Sequence, residues 1–293
     1  MEAILVSRVA IKKRAIAAAA LFLLVLLSPY ATHALQAAWQ AATQISVRRH
    51  YLAWSSLETN YFQLRYLPKD QVIAEKLGNE ADNAVRQVAK LIPHPVGERR
   101  PWLIVIPHQE MLQEAFGWGH EKGALGVYLA ETIKILSPMA WYWYPESERW
   151  NAFVSHGPLV HEYTHFVLEL KAKGNYPRWF SEGLAQLTEY QLLGYEWLEA
   201  DSSLANRLYS LEALDYSFDT LPRQALAYRQ ALSMVSYLET LQGMAGFNQF
   251  LNRLGTGKPF YQALQQTYGL DRENFYQGWE AWYLQDERWF QAS

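Results

Sequence analysis

The sequence contains no cysteine. No disulfide can brace the fold and no thiolate can act as nucleophile or ligand, so any bound metal must be held by histidine and carboxylate. Charge is also sparse: 19% of the residues are charged, the formal net charge is −3, and nothing points to a nucleic-acid partner. Apolar surface is plentiful, with half of the 293 residues hydrophobic. Such a chain is globular, and long enough to bury a substantial core in one large domain or two lobes. The 12 Trp, 19 Tyr and 12 Phe suit either large core side chains or the lining of a groove for peptide or sugar.

The first forty residues differ from the rest. Arg8, Lys12, Lys13 and Arg14 precede an uncharged apolar run from Ala15 to Leu27, Pro29 follows it, and Thr32-His33-Ala34 places small residues at a cleavage-site spacing. That is the layout of a secretory signal. The run is short for a spanning helix, which needs about 20 residues, but continued to Ala34 it would serve as an uncleaved membrane anchor. Either way residues 1–34 are expected to export the rest, with the bacterial periplasm or cell envelope as destination and the inner membrane as anchoring site if the segment is retained. Without them the chain has 22 basic and 28 acidic residues, a net charge of −6.

Beyond the leader, residues 35–57 read as a helical linker. Asn60–Tyr66 alternates as a half-buried strand does, and Asp70 is placed to cap a helix reaching Leu91. Trp102–Ile106 reads as a central strand, 109–116 as a short helix, and Gly126–Leu129 with Thr132–Leu136 as two further strands. These give a mixed sheet of about four strands over residues 58–150. Trp141-Tyr142-Trp143-Tyr144 is a loop, either a rim over a cleft or a packed surface turn. From Asn151 to the end the pattern is almost entirely helical, and residues 151–293 form the second lobe. The expected fold class is therefore α+β.

The chemistry centres on His161-Glu162-Tyr163-Thr164-His165. On a helix the two histidines stand one turn apart on one face, where their rings can address one tetrahedral ion. Glu162 projects to the side, where it can reach a water on that ion. Pro158 suits the first turn of this helix, Ser155 its cap and Gly174 its end. Leu159, Tyr163, Phe166, Val167 and Leu170 make its core face, with His161 and His165 on the opposite side. Two histidines alone hold zinc poorly. Glu182 follows His165 after sixteen intervening residues. That is room for the chain to reverse through Gly174 and Pro177 and begin a second helix, whose first turn would bring a carboxylate to the pair. Glu189, two turns further on, is either an outer acceptor for a ligating histidine or a solvated carboxylate.

The segments H-E-Y-T-H and P-R-W-F-S-E-G-L-A together resemble the gluzincins, the zinc metallopeptidases that include thermolysin and the zinc aminopeptidases, and most of all their bacterial peptidase MA-like branch. The resemblance implies a small mixed sheet followed by a mainly helical zincin-type lobe, with the active-site cleft between them. It implies one Zn2+ per chain held by His161, His165 and Glu182, Glu162 as general base, and a peptide or protein substrate. It also matches Tyr228 to a downstream residue that stabilises the oxyanion; as a residue it equally suits the core stripe of Leu232 and Val235. Aminopeptidases of the group carry a G-A-M-E-N strand whose glutamate holds the substrate's amino terminus. The corresponding Gly123-Ala124-Leu125-Gly126-Val127 has none, which favours endopeptidase action or a non-catalytic binding or assembly role in the envelope.

Overall fold

The computed structural model describes residues 29–114 and 124–291. The apolar run that carries the export expectation lies outside them. Among the described residues no helix is long and apolar enough to cross a membrane. The chain divides after His50 into two units. The first contributes helix α1 (Pro29–Arg49), and everything below belongs to the second.

That second unit opens with strand β1 (Ser55–Glu58), inside the stretch expected to be helical. β1 pairs antiparallel with β2 (Gln63–Tyr66), so the sheet has five strands rather than about four. β2 also starts later than the alternation suggests. The Asp82 carboxylate, buried on helix α2 (Gln71–Leu91), accepts hydrogen bonds from Thr59 Oγ1 (2.7 Å), Asn60 Nδ2 (2.8 Å) and the backbone N–H of Asn60 (3.1 Å). A long-range clamp thus folds residues 59–62 into a turn. Asp70 stands at the N-cap of α2 but makes no capping hydrogen bond. The helix relies instead on burying Ala74, Leu77, Ala81, Ala84, Val85 and Val88, a stripe at helical spacing.

Strand β3 (Trp102–Ile106) is buried at all five positions, as its unbroken apolar run implies. Helix α3 (Gln109–Glu114) follows, then the hairpin of β4 (Gly126–Leu129) and β5 (Thr132–Leu136). The sheet order is β1-β2-β3-β5-β4, with β2, β3 and β5 parallel and both edge strands antiparallel. The hairpin turns through Ala130 (φ 46°) and Glu131 (φ 56°), left-handed positions usually given to Asn and Gly. The Glu131 carboxylate pairs with Arg99, its carbonyl accepts from the Trp102 N–H at 3.0 Å, and its N–H donates to the Tyr128 hydroxyl at 3.2 Å.

The rest is helical: α4 (Glu146–His156), α5 (Leu159–Ala172), α6 (Arg178–Leu193), α7 (Leu211–Ser217), α8 (Gln224–Gly255, kinked at Gly243), α9 (Phe260–Tyr268) and α10 (Arg272–Tyr283). The aromatic abundance goes mainly into the core. Trp179 and Phe180 of α6 pack on Phe247, Phe250, Phe260 and Phe275, and all six rings are buried.

Helices α6 and α8 touch through Gly183. A Cβ there would stand 2.4 Å from the Ala231 carbonyl oxygen, and backbone cannot step aside as a flexible side chain can. Gly183→Ala is expected to force these helices apart and to cost about 1–3 kcal/mol or more, read as a lowered urea midpoint at unchanged m-value. An alanine variant as stable as the wild type would refute this contact.

Candidate metal centre

Helix α5 carries the H-E-x-x-H segment and is largely buried. It packs against α2, α6, α8 and β4, and Leu159, Val160 and every residue from Glu162 to Leu168 are buried. The expected contrast between a core face and an opposite face is therefore replaced by burial nearly all round. His161 and His165 turn towards α6 rather than towards water. Ser155 does not cap α5: it lies in α4, and its Oγ donates to the Asn151 carbonyl at 2.9 Å. The helix ends at Lys173, which takes the left-handed conformation (φ 54°) one residue before Gly174.

Helix α6 starts directly after Pro177, which places Glu182 in its second turn and Glu189 two turns on along the same face. The Nε2 atom of His161 lies 3.2 Å from Glu182 Oε2, and that of His165 lies 3.3 Å from Glu182 Oε1. One ligand atom from each of these three residues can be chosen so that all lie within 4.8 Å of one another, a group that could hold a metal ion. Ligands at about 2.0–2.1 Å from a tetrahedral zinc are themselves about 3.3–3.4 Å apart, close to the two spacings from the histidines to Glu182. The opposite ring nitrogens are already engaged, His161 Nδ1 with Glu189 Oε2 at 2.8 Å and His165 Nδ1 with Ser181 Oγ at 2.9 Å. A proton on each Nδ1 leaves both Nε2 lone pairs aimed at Glu182. Glu182 is 1% exposed, and its Oε1 accepts no hydrogen bond, although the Arg178 guanidinium forms an ion pair with it. A buried carboxylate beside two imidazole Nε2 atoms is a donor set that suits a divalent cation.

The electrostatics agree. Burial alone would lower His161, yet the carboxylates of Glu189 and Glu182 outweigh it and hold the imidazole well above its usual range. Burial pushes His165 down to about 3. Burial would raise Glu182, but Arg178, His165 and His161 hold its carboxyl well below the usual carboxylate range. Glu162 is buried and contributes no atom to the three-residue group. Burial lifts it to about 8, where a carboxyl can both accept and return a proton near neutral pH.

The edge strand β4 lies hard against Glu162. A Cβ at Gly126 would stand 2.8 Å from both Glu162 Cγ and Pro158 Cβ, so only glycine lets the strand backbone approach. Tyr128, next but one on β4, stacks near His165 and donates its hydroxyl to Glu169 Oε2 at 2.7 Å.

Tyr228 is half-buried on α8, its ring between those of Trp197 and Phe218 at 5.3 and 5.2 Å. It lies within electrostatic reach of Arg178. Three neighbours of the site escape a reading of the sequence: Arg178, Ser181 and Asp219. Arg178 bridges Glu182 and Asp219, donating Nε to Asp219 Oδ1 at 3.0 Å. The local signal was the i, i+4 spacing of Arg178 and Glu182 on one helix; Asp219 gave none.

Glu189→Gln is expected to weaken metal affinity about 10- to 100-fold, because it takes the charge from the acceptor that orients His161. Competition with a chelator measures this, and unchanged affinity would return Glu189 to the role of an ordinary helix carboxylate.

The model of the Peptidase MA superfamily matches residues 149–285, a span that includes the whole of α5 and α6. No curated protein matches the chain in sequence. Among solved structures, native leukotriene A4 hydrolase from Saccharomyces cerevisiae aligns with 82% of this chain and 39% of its own at 14% identity, with a TM-score of 0.44. The yeast enzyme in complex with Bestatin aligns with 80% and 37%, at 14% identity and a TM-score of 0.35. The chain thus spans about two fifths of the length of those proteins. Residues 149–285, just under half of the chain, are thus similar to the Peptidase MA superfamily, and the fold is α+β.

Proposed function

We propose that this protein is a zinc-dependent metallopeptidase that cuts within peptides, working outside the cytoplasm after export by its N-terminal segment. The observation that carries the reading is the convergence of two buried imidazole Nε2 atoms on one buried carboxylate, with both Nδ1 atoms held from behind. His161, His165 and Glu182 would hold the ion. When bound, zinc would supply a Lewis acid that polarises a peptide carbonyl and acidifies water.

The chain's own groups do the rest. Glu162 takes the proton of the attacking water and passes it to the leaving amide nitrogen, a task its raised pKa suits. β4 is an edge strand of the sheet and can add an extended peptide as a further strand beside Glu162. Tyr228 is proposed to support the oxyanion, its nearness to Arg178 being the observation in favour. The described start of this edge, Leu125 and Gly126, carries no acidic residue, which supports endopeptidase over aminopeptidase action.

The deciding experiment measures zinc per chain after purification without chelator, together with cleavage of a proteome-derived peptide library. About one zinc per chain with peptide cleavage is expected. Protein that cannot take up zinc would sink the reading. Zinc without cleavage of any peptide would assign the chain to a binding or assembly role in the envelope.

A further inference from the structure

Three large apolar side chains stand exposed within seven residues after β5: Met139 (40%), Tyr142 (70%) and Trp143 (56%). The loop that carries them is firmly built. Trp141 is fully buried beneath it, and Trp143 stacks on Trp141 with centroids 5.5 Å apart and planes 22° from parallel. Arg149 fastens both ends, donating Nη1 to the Met139 carbonyl at 3.0 Å and Nε to the Tyr144 carbonyl at 3.2 Å. Its guanidinium also lies 4.9 Å from the centre of the Tyr142 ring.

The aromatic surface continues inward. The Tyr144 hydroxyl meets His156 Nε2 at 3.0 Å, and His156 stacks on Tyr195 at 5.6 Å. Both inner members adjoin in sequence the helices that carry the metal centre. Only Gly157 and Pro158 separate His156 from α5, and Tyr195 follows α6 after Gly194 alone. Burial raises the Tyr195 phenol, and the Glu189 carboxylate is near enough to add to that rise.

What could cover this wall follows from its polar atoms, which are largely engaged with one another. His156 Nδ1 meets Ser155 Oγ at 3.0 Å, Nε2 meets Tyr144, and Arg149 holds the loop carbonyls. Ring faces make up most of what this surface offers. A sugar would need directional donors and acceptors as well as a stacking face. An anionic bilayer would need unengaged Lys or Arg, whereas the charged residues between the loop and Arg149 are Glu146 and Glu148. An aromatic or large aliphatic side chain needs only the rings.

We propose that Trp143, Tyr144, His156 and Tyr195 form a specificity subsite that takes an aromatic or large aliphatic side chain of a peptide whose scissile bond lies at the His161–His165–Glu182 centre. The inference rests on the metallopeptidase reading above.

The test profiles cleavage of a proteome-derived library by zinc-loaded protein. Phe, Tyr, Trp and Leu should be enriched at one fixed position relative to the cut. Trp143→Ala should then lower the ratio of kcat/KM for a Phe-containing over a matched Ala-containing peptide about five- to ten-fold. Cleavage with a flat profile, or an unchanged ratio, overturns the subsite while leaving the peptidase reading intact. If nothing is cleaved, the peptidase reading fails separately, and fluorescence anisotropy of the same two peptides on wild type and Trp143→Ala decides the wall. Equal binding of both peptides overturns it. Binding of phosphatidylglycerol vesicles or a soluble glucan that depends on Trp143, with no preference between the peptides, also overturns it. Should Trp143→Ala melt below the wild type, Tyr195→Ala, in the same subsite, replaces it.

Discussion

Glu182→Ala is expected to lose stoichiometric zinc, with affinity falling about a hundred- to a thousand-fold. Structural zinc sites are worth roughly 10–16 kcal/mol, and the variant removes one of three protein ligands together with the group's only negative charge. Glu182 is 1% exposed, so water replaces the lost oxygens poorly. The substitution also strands neighbours. Arg178 keeps Asp219 but loses its buried partner, and His161 keeps only Glu189. The metal-free variant should accordingly lose about 1–3 kcal/mol, the cost of unpaired buried polar groups. Zinc content after dialysis and chelator competition measure the first effect, and urea denaturation with chelator measures the second. An alanine variant that keeps wild-type zinc affinity would show that the carboxylate is no ligand. Glu182→Gln, which preserves shape but not charge, should fall between the two in affinity.

Glu162→Gln is expected to keep its zinc and to lose peptide hydrolysis by about 10²–10⁴-fold, the usual contribution of a positioned general base. The amide fits the same space against Gly126 and Pro158 but accepts no proton. A variant that retains cleavage would remove Glu162 from the chemistry, and one that loses zinc would make it a ligand. The same substitution has a stability signature in chelated protein. Burial holds the folded-state pKa of Glu162 at about 8, above its ordinary value of 4.5, so the folded state binds this proton more tightly than the unfolded chain does. Stability is therefore fully present below about pH 4.5 and is lost as the pH rises towards 8. Glutamine cannot ionise, so the metal-free variant should melt above the metal-free wild type at pH 8 and converge with it near pH 4.5. The gap should be no more than a few kcal/mol. Equal melting temperatures at pH 8 would show that the burial of Glu162 carries no such cost.

The sequence by itself determined those features whose cause is local. Helical periodicity put His161 and His165 on one face, Pro177 marked the start of α6, and the spacing from His165 allowed Glu182 to reach the pair. The apolar run Trp102–Ile106 reads as a central strand and is one, buried throughout. Tertiary structure decided whatever depends on a partner distant in the chain. Ser55–Glu58 is a strand because β2 lies beside it, and β2 begins at Gln63 because Asp82 holds the preceding turn from α2. The enclosure of α5 on every side, the bridge from Arg178 to Asp219, and the glycine contacts of β4 with Glu162 and of α6 with α8 arise only once separate elements pack together. Backbone propensity and side-chain period act over a few residues. Burial, ion pairing and close backbone approach act across the fold, and they set the charge state and accessibility of the groups that the motif supplies.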